Sequence, residues 1–329
     1  MARDYYLLSG GELKRKQNTL YLVSKDGRKP IPVSDIDSIH AFGEITINSK
    51  LLDFLTKKHV CLHFYNYFGY YNGSYYPREH LVSGRVLIAQ VQHYLDLNKR
   101  LFLAKKFCQG AVFGILKNLE YYDSQGKRVG QNIDRIRELE GKMGGAESVE
   151  ELMGLEGNVR QEYYSSFNSF LRKGFKLSER VKRPPDNMVN CLISFGNSLV
   201  YSKVLSEIYR TQLNPTISFL HEPGERRYSL SLDLSEIFKP LIVDKINFGL
   251  INNRKIKEKH FLKELNCCYL DEKGRRIYLE EFDSKMKSTV KHRQLKRNVS
   301  FSRLVRMECY KLIKHLLDDK EYEPLRAWW

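Results

Sequence analysis

The chain has 329 residues, 42% of them hydrophobic, enough to bury a sizeable core in two domains or in one large domain with an appendage. Its longest apolar stretches, such as LVSGRVLIAQV and LIVDKINFGLI, are broken by charge well short of the roughly 20 residues a membrane span needs, and MARDYYLLSGG lacks a signal peptide's apolar region, so the chain reads as cytoplasmic. A formal charge of +16 points to polyanionic partners, while six cysteines at scattered spacings, with no C-x-x-C pair, argue against a disulfide framework or a structural zinc site.

The first 80 or so residues carry strand signals: YYLLS, TLYLV, DIDSIHAFGEITIN and VCLHFYNYFGYYNGSYYP, with KDGRKP and YNGS as turn candidates. Between them SKLLDFLTKKH reads as one helix with Ser49 as its N-cap. The tyrosine-rich run from Phe64 to Tyr76 suits either strand packing or a base-stacking surface, packing being the commoner use.

Past Gly84 the periodicity changes. VLIAQVQHYLDLNKRLFLAKKF and most later segments repeat apolar residues at spacings of three and four, which predicts a mainly helical remainder. The expected organisation is α+β with two domains: a small β-rich one over 1–80, a linker at 81–86, and a larger all-α one over 87–329. YDSQGKRVGQ is a polar loop, and Ser148 followed by Glu151 has the capping-box spacing of a helix start.

The common nucleotide and nucleophile signatures are absent, which leaves metal chemistry. LMGLEGNVRQEYYSSF sets Glu156 between Gly154 and Gly157, which would suit a close neighbour, and helical spacing brings Arg160, Tyr163 and Tyr164 to the same side. In RPPDNMVNCLISFGNSLVYSKVL, Asn190, Ser194 and Gly196 suggest tight helix packing. In FLHEPGERRYSLSLDLSEIFKP, a Pro-Gly turn precedes a helix that Lys239-Pro240 should end, with Asp233 and Glu236 on one face. Paired acids are commonly a solvated face. They also suit a hard divalent cation, to which His221 would add a nitrogen. Two basic clusters follow the same weighing of solvated face against phosphate contact: LRKGFKLSERVKRPP, and the run from Lys285 to Arg306 with eight Lys or Arg and no acid.

Taken in order, LEGNVRQEYYSSF, PPDNMVNCLISFGNSLVYS and FLHEPGERRYSLSLDLSEIFKP resemble the three signature blocks of the CRISPR-associated integrase, the spacer-acquisition protein numbered one in that system. The β-rich start resembles that family's N-terminal domain, so the likeness covers essentially the whole chain. The resemblance implies a homodimer through the N-terminal domain, association with the small second CRISPR-associated protein, and double-stranded DNA, both donor fragments and CRISPR repeat, as substrate. It implies Mn²⁺ or Mg²⁺ held by Glu156, His221 and Glu236, the catalytic set, with Asp233 as an outer or alternate acid. Many members carry aspartate where Glu236 stands, GERRY replaces a Gly-Arg turn so that Arg226 and Arg227 share the expected DNA contact, and Asn197 replaces a common aromatic. Arg160, Tyr164, Lys291, Arg293, Lys296 and Arg297 complete the expected DNA-binding set. The implied reaction is attack of a DNA 3′-hydroxyl on a repeat phosphodiester. A non-catalytic scaffold for branched DNA, or a metal-dependent nuclease acting on RNA or single strands, are the rival readings.

Overall fold

The computed structural model describes residues 3–17, 19–25, 27–32, 36–182, 184–225, 228–264 and 267–328. The strand-rich start comprises β1 (Arg3–Leu7), β2 (Gly11–Lys16), β3 (Thr19–Ser24), β4 (Gly27–Pro32), β5 (Ile36–Ala41), β6 (Ile45–Thr46), α1 (Ser49–Lys57), β7 (Cys61–Tyr65) and β8 (Tyr71–Tyr75). One sheet runs β1-β5-β7-β8, with its first three strands parallel. The other runs β4-β3-β2-β6 around an antiparallel meander. Leu13, Leu20 and Leu22 of the meander meet Ile39 and Leu62 of the first sheet and Leu51 and Leu55 of α1 in one apolar cluster. β5 lies between parallel neighbours and is buried at every position, which is why a strand reading IDSIHA must find partners for its polar groups.

Two local expectations shift. Asn48, not Ser49, caps α1, its side chain accepting from Leu51 N at 3.0 Å. YNGS is strand rather than turn, because the reversal comes earlier: Asn66 Oδ1 accepts from Phe68 N and Tyr70 N, and Gly69 takes a φ of +84°. The aromatic run packs: Tyr65 stacks on Phe42 at 4.2 Å and Tyr71 meets Tyr201 edge-on at 4.9 Å.

The helical remainder holds α2 (Gly84–Leu95), α3 (Leu97–Ser124), α4 (Gly130–Gly145), α5 (Val149–Ser165), α6 (Met188–Tyr209), α7 (Ser229–Phe238), α8 (Lys245–Asn252), β9 (Phe261–Glu264), β10 (Cys267–Leu270), α9 (Glu272–Lys287), β11 (Thr289–Lys291), β12 (Asn298–Ser300) and α10 (Phe301–Leu316). Two short hairpins, β9–β10 and β11–β12, thus interrupt the expected all-helical run. Ser148 caps α5 from its side chain to Glu151 N, and Glu151 reaches back to Glu147 N. Lys239-Pro240 does not stop α7. The chain continues through a π-helical turn over 239–244 into α8, with Pro240 near the start of that turn. Close approaches carry the packing around α7: a Cβ on Gly114 of α3 would lie 3.0 Å from Pro240 Cβ, and one on Gly196 of α6 would lie 2.5 Å from Val243 Cγ1. The six cysteines are free, and among the described residues no helix is long and apolar enough to cross a membrane.

A buried ionic network ties the strands to α6. Lys203 reaches Asp4 at 3.0 Å, Asp37 at 2.7 Å and Glu207 at 3.2 Å, while Arg210 pairs with Asp37 and Arg306 with Glu207, both at 2.6 Å. Around it, His40 bonds Ser38 and Tyr65, and His63 bonds Ser74 and Ser206. Burial, with Lys203 adding, pushes His40 down to about 3, and burial holds His63 well below its ordinary value. Each imidazole is therefore neutral when folded and takes up a proton near pH 6.5 when unfolded, so its stabilising contribution is complete above that pH and is lost as pH falls towards the folded value. Urea titrations should show the unfolding free energy dropping with acid below about pH 6.5, by about 1.4 kcal/mol per pH unit for each of the two histidines. His40→Gln should flatten that slope by one histidine's share, and an unchanged slope would exclude this origin.

Candidate metal centre

The site is built on α7, which packs between α3 and α6 with nearly every residue buried. Asp233, on its first turns, is fully buried and faces the loop before the helix. Its Oδ2 accepts from Phe219 N at 2.6 Å and Leu220 N at 3.0 Å, and its Oδ1 from His221 N at 2.9 Å and His221 Nδ1 at 2.8 Å. Ser218 Oγ donates to His221 O at 2.6 Å, and Arg100 of α3 donates to Phe219 O at 3.0 Å and pairs with Glu222 at 2.6 Å, so the loop is pinned from both sides. A carboxylate only accepts, so Nδ1 of His221 carries the hydrogen and Nε2 is left for a ligand. Burial alone would lower the pKa of His221, but its bond to Asp233 and the charges of Asp233 and Glu236 outweigh that and raise it.

One turn further along α7, Glu236 meets α5. Arg160 donates from Nε to Glu156 Oε1 at 2.7 Å and from its terminal nitrogen to Glu236 Oε2, so one guanidinium bridges the two glutamates. Lys239 pairs with the other oxygen of Glu236. Burial would raise the pKa of Glu236, yet Lys239 and Arg160 bring it down to about 2, so it is a carboxylate at any physiological pH. Asp244, at the end of the π-helical turn, feels the same cations, but burial dominates and pushes it up to about 6.

The structure therefore joins Glu156 to Glu236 through Arg160, while His221 is bonded to Asp233 and feels the charge of Glu236. Two carboxylates and an imidazole nitrogen suit Mn²⁺ or Mg²⁺ by donor type. Their present cation is Arg160, and among the described residues no three His, Cys, Asp or Glu side chains stand at ligand spacing. Asp233 serves behind His221, its oxygens taken up by the loop. Arg160, expected to face DNA, is instead inserted between the glutamates with 13% of its side chain exposed. Tyr164, also expected on that face, is half-buried and stacks on Tyr163 and against Phe167. Gly154 and Gly157 have nothing within 4 Å of where a Cβ would sit, so the close neighbour expected there is not another part of the described chain. Lys239 and Asp244 escape a reading of the sequence because an apparent helix stop hides the π-helical turn that carries them.

Lys291, Arg293, Lys296 and Arg297 are all exposed on the β11–β12 hairpin. Arg226, Arg227 and Arg183 lie outside the described residues. In the other basic cluster Arg180 turns inward to Asn190 and Ser194, anchoring the start of α6 and giving those two residues the structural role their spacing suggested.

The family model for CRISPR associated protein Cas1 matches residues 5–284. The chain belongs to the Cas1 family. A CRISPR-associated endonuclease Cas1 of Thermodesulfovibrio yellowstonii is 50% identical over 99% of this chain and 100% of its own. The structure of a Cas1 protein from Thermotoga maritima superposes with a TM-score of 0.89 at 38% identity, covering 98% of this chain and 99% of that one. A casposase bound to integration product shares the fold at a TM-score of 0.86 and 23% identity, over 99% and 94% of the two chains.

In this Cas1-family site the role of Asp233 can be read from its histidine. Asp233→Asn removes the charge that sustains the His221 proton, so an NMR titration should place the His221 pKa lower than in the wild type, and the loop amides should lose protection from hydrogen exchange. An unshifted His221 would mean that Asp233 does not hold it.

Proposed function

We propose that the chain is a divalent-metal-dependent DNA integrase and endonuclease, inserting foreign DNA fragments as spacers into a CRISPR array. The observation that carries this reading is the buried Glu236 sharing one guanidinium with Glu156, on the helix whose Asp233 holds His221 through Nδ1. The endonuclease name of the Thermodesulfovibrio relative and the integration product of the casposase support it. Glu156, His221 and Glu236 would hold Mn²⁺ or Mg²⁺, which when bound supplies a Lewis acid for a phosphoryl oxygen and lowers the pKa of a hydroxyl.

The protein's own groups account for the rest. Asp233 fixes the imidazole's tautomer and direction. Arg160 and Lys239 keep Glu236 ionised, and Arg160, once released from the glutamates, offers a planar donor suited to phosphate. In the joining reaction a bond from the attacking 3′-oxygen to phosphorus forms as the phosphodiester bond to the leaving oxygen breaks; the attacking hydroxyl gives its proton to solvent and the leaving oxygen takes one from solvent, becoming a hydroxyl. One phosphodiester is exchanged for another, so no nucleotide is consumed. Positioning supplies much of such a reaction's acceleration. Homodimerisation through the N-terminal strands, association with the small second CRISPR-associated protein, and domain limits of 1–80, 81–86 and 87–329 belong to the same proposal. A scaffold whose acids are mere surface is disfavoured by the burial of Asp233 and Glu236 on α7.

In a strand-transfer assay with Mn²⁺, Glu156→Gln and His221→Ala should each reduce joining by about 100-fold or more, at the upper end of what loss of a ligand's outer partner brings, with duplex binding retained. Joining at the wild-type rate by either variant would end the ligand assignment, and cleavage without joining would favour a nuclease. For the hairpin, changing Lys291, Arg293, Lys296 and Arg297 together to glutamine should weaken duplex binding evenly across sequences. Its logarithmic salt slope should fall by up to about 0.9 for each phosphate that the variant no longer neutralises. An unchanged slope would turn the hairpin away from duplex.

A further inference from the structure

The loop that presents His221 is held from the side opposite α7 as well. α2 and α3 meet it at a corner: Asp96 ends α2 and caps α3, its side chain accepting from Asn98 N and Lys99 N, both at 3.0 Å, so that residues of both helices reach the segment from 214 to 222. Gln90 of α2, fully buried, accepts from Asn214 N at 2.8 Å and donates to Asn214 O at 3.2 Å. One turn on, Tyr94 donates to Glu222 Oε1 at 2.5 Å. Beyond the corner Arg100 donates from Nε to Phe219 O at 3.0 Å, pairs with Glu222 Oε2 at 2.6 Å, and lies over the Tyr94 ring at 4.6 Å.

The bond to Phe219 O has a particular consequence. Phe219 C=O and Leu220 N–H are the two ends of one planar peptide unit. Arg100 holds the carbonyl and Asp233 the N–H, each at 3.0 Å, so the unit is clamped between α3 and α7. A carboxylate only accepts, so Asp233 can fix the N–H groups of this loop but not its carbonyls. His221 follows the clamped unit directly, and both its backbone N–H and its ring Nδ1 meet Asp233 Oδ1. Within the ion pair the two partners are unequal: 11% of the Arg100 side chain is exposed against 62% of Glu222, so water can replace the carboxylate but not the guanidinium.

We propose that Arg100 is a positioning residue for the metal centre: by fixing the carbonyl end of the 219–220 peptide it sets the direction of the His221 imidazole. The proposal rests on the metal reading of Glu156, His221 and Glu236 and adds to it an arginine from another helix that touches none of the three.

The test uses the full chain, first without metal. Heteronuclear NMR of the histidine rings, with the His221 signals assigned by their loss in His221→Gln, should show a fixed Nδ1–H tautomer in the wild type. Arg100→Gln should move those signals towards averaging of the two tautomers while the far-ultraviolet circular dichroism is unchanged. In paramagnetic-resonance titrations with Mn²⁺ alone it should bind about 10-fold more weakly or worse, as when a ligand loses its outer partner. Arg100→Lys keeps the buried cation but lacks the fork that reaches Phe219 O and Glu222 together, so it should show the same changes at smaller size, and it decides the matter if Arg100→Gln does not fold. Glu222→Gln, which leaves an acceptor at the surface, should bind Mn²⁺ like the wild type. An unchanged ring signature or an unchanged Mn²⁺ affinity in folded Arg100 variants would each overturn the proposal. So would a loss in Glu222→Gln as large as that in Arg100→Gln, which would assign the effect to the ion pair rather than to the peptide clamp. A wild-type chain that binds no Mn²⁺ would instead overturn the metal reading, and the ring signature, read without metal, would still decide what holds His221.

Discussion

Two carboxylates on one buried helix set the terms for the rest of this molecule. Moving a charge out of water costs several kcal/mol unless other groups replace the lost hydration. α7 carries Asp233 and Glu236 into the interior, and each is compensated by a different part of the chain: Asp233 by three successive backbone N–H groups and an imidazole, Glu236 by Arg160 from α5 and Lys239 from the following turn. The elements that neutralise α7 are thus the ones that bring the chemistry to it. His221 is oriented because Asp233 needs a donor, and Glu156 lies beside Glu236 because both draw on one guanidinium.

This explains which features could be read along the chain. The periodicity of LSLDLSEIF gives a helix with both acids on one side, and the four-residue step from Glu156 to Arg160 gives their pairing, because both depend on spacing alone. Whether that side is wet or buried is decided by α3 and α6, which the local pattern does not contain. The reach of Arg160 to Glu236, 76 positions away, is likewise a property of packing. Lys239-Pro240 reads as a stop under the usual rule, yet the chain runs on through a wider helical turn to Asp244. The strands of the first 80 residues were legible because β-branched and aromatic runs are long there. The hairpins β9–β10 and β11–β12 are three or four residues a side, too short to show a period of two among helices.

Net charge is also less uniform in use than in count. Of the many cations behind the +16, Lys203, Arg210, Arg306, Arg160 and Lys239 are committed to internal carboxylates, and Arg180 to the start of α6. Their contribution is to permit buried acids. Lys291, Arg293, Lys296 and Arg297 of the β11–β12 turn are exposed and pair with no carboxylate among the described residues, and their field extends outward within the Debye length.

The two sets of buried charge meet through α6. One side of that helix holds Lys203, Ser202 and Ser206 against the N-terminal strands, through Asp4, Asp37, Tyr65 and His63. At Gly196 the same helix lets Val243 of the π-helical turn come close, the turn that also carries Lys239. Sliding the strands along α6 would separate charges in a medium where an unpaired charge is expensive, so the strands, α6 and α7 resist moving independently. The glutamates around Arg160 are different in kind: one guanidinium serves two carboxylates from two helices, α5 and α7. Glu156 and Glu236 are thereby held to each other by a single shared partner, while the strands, α6 and α7 are held by several.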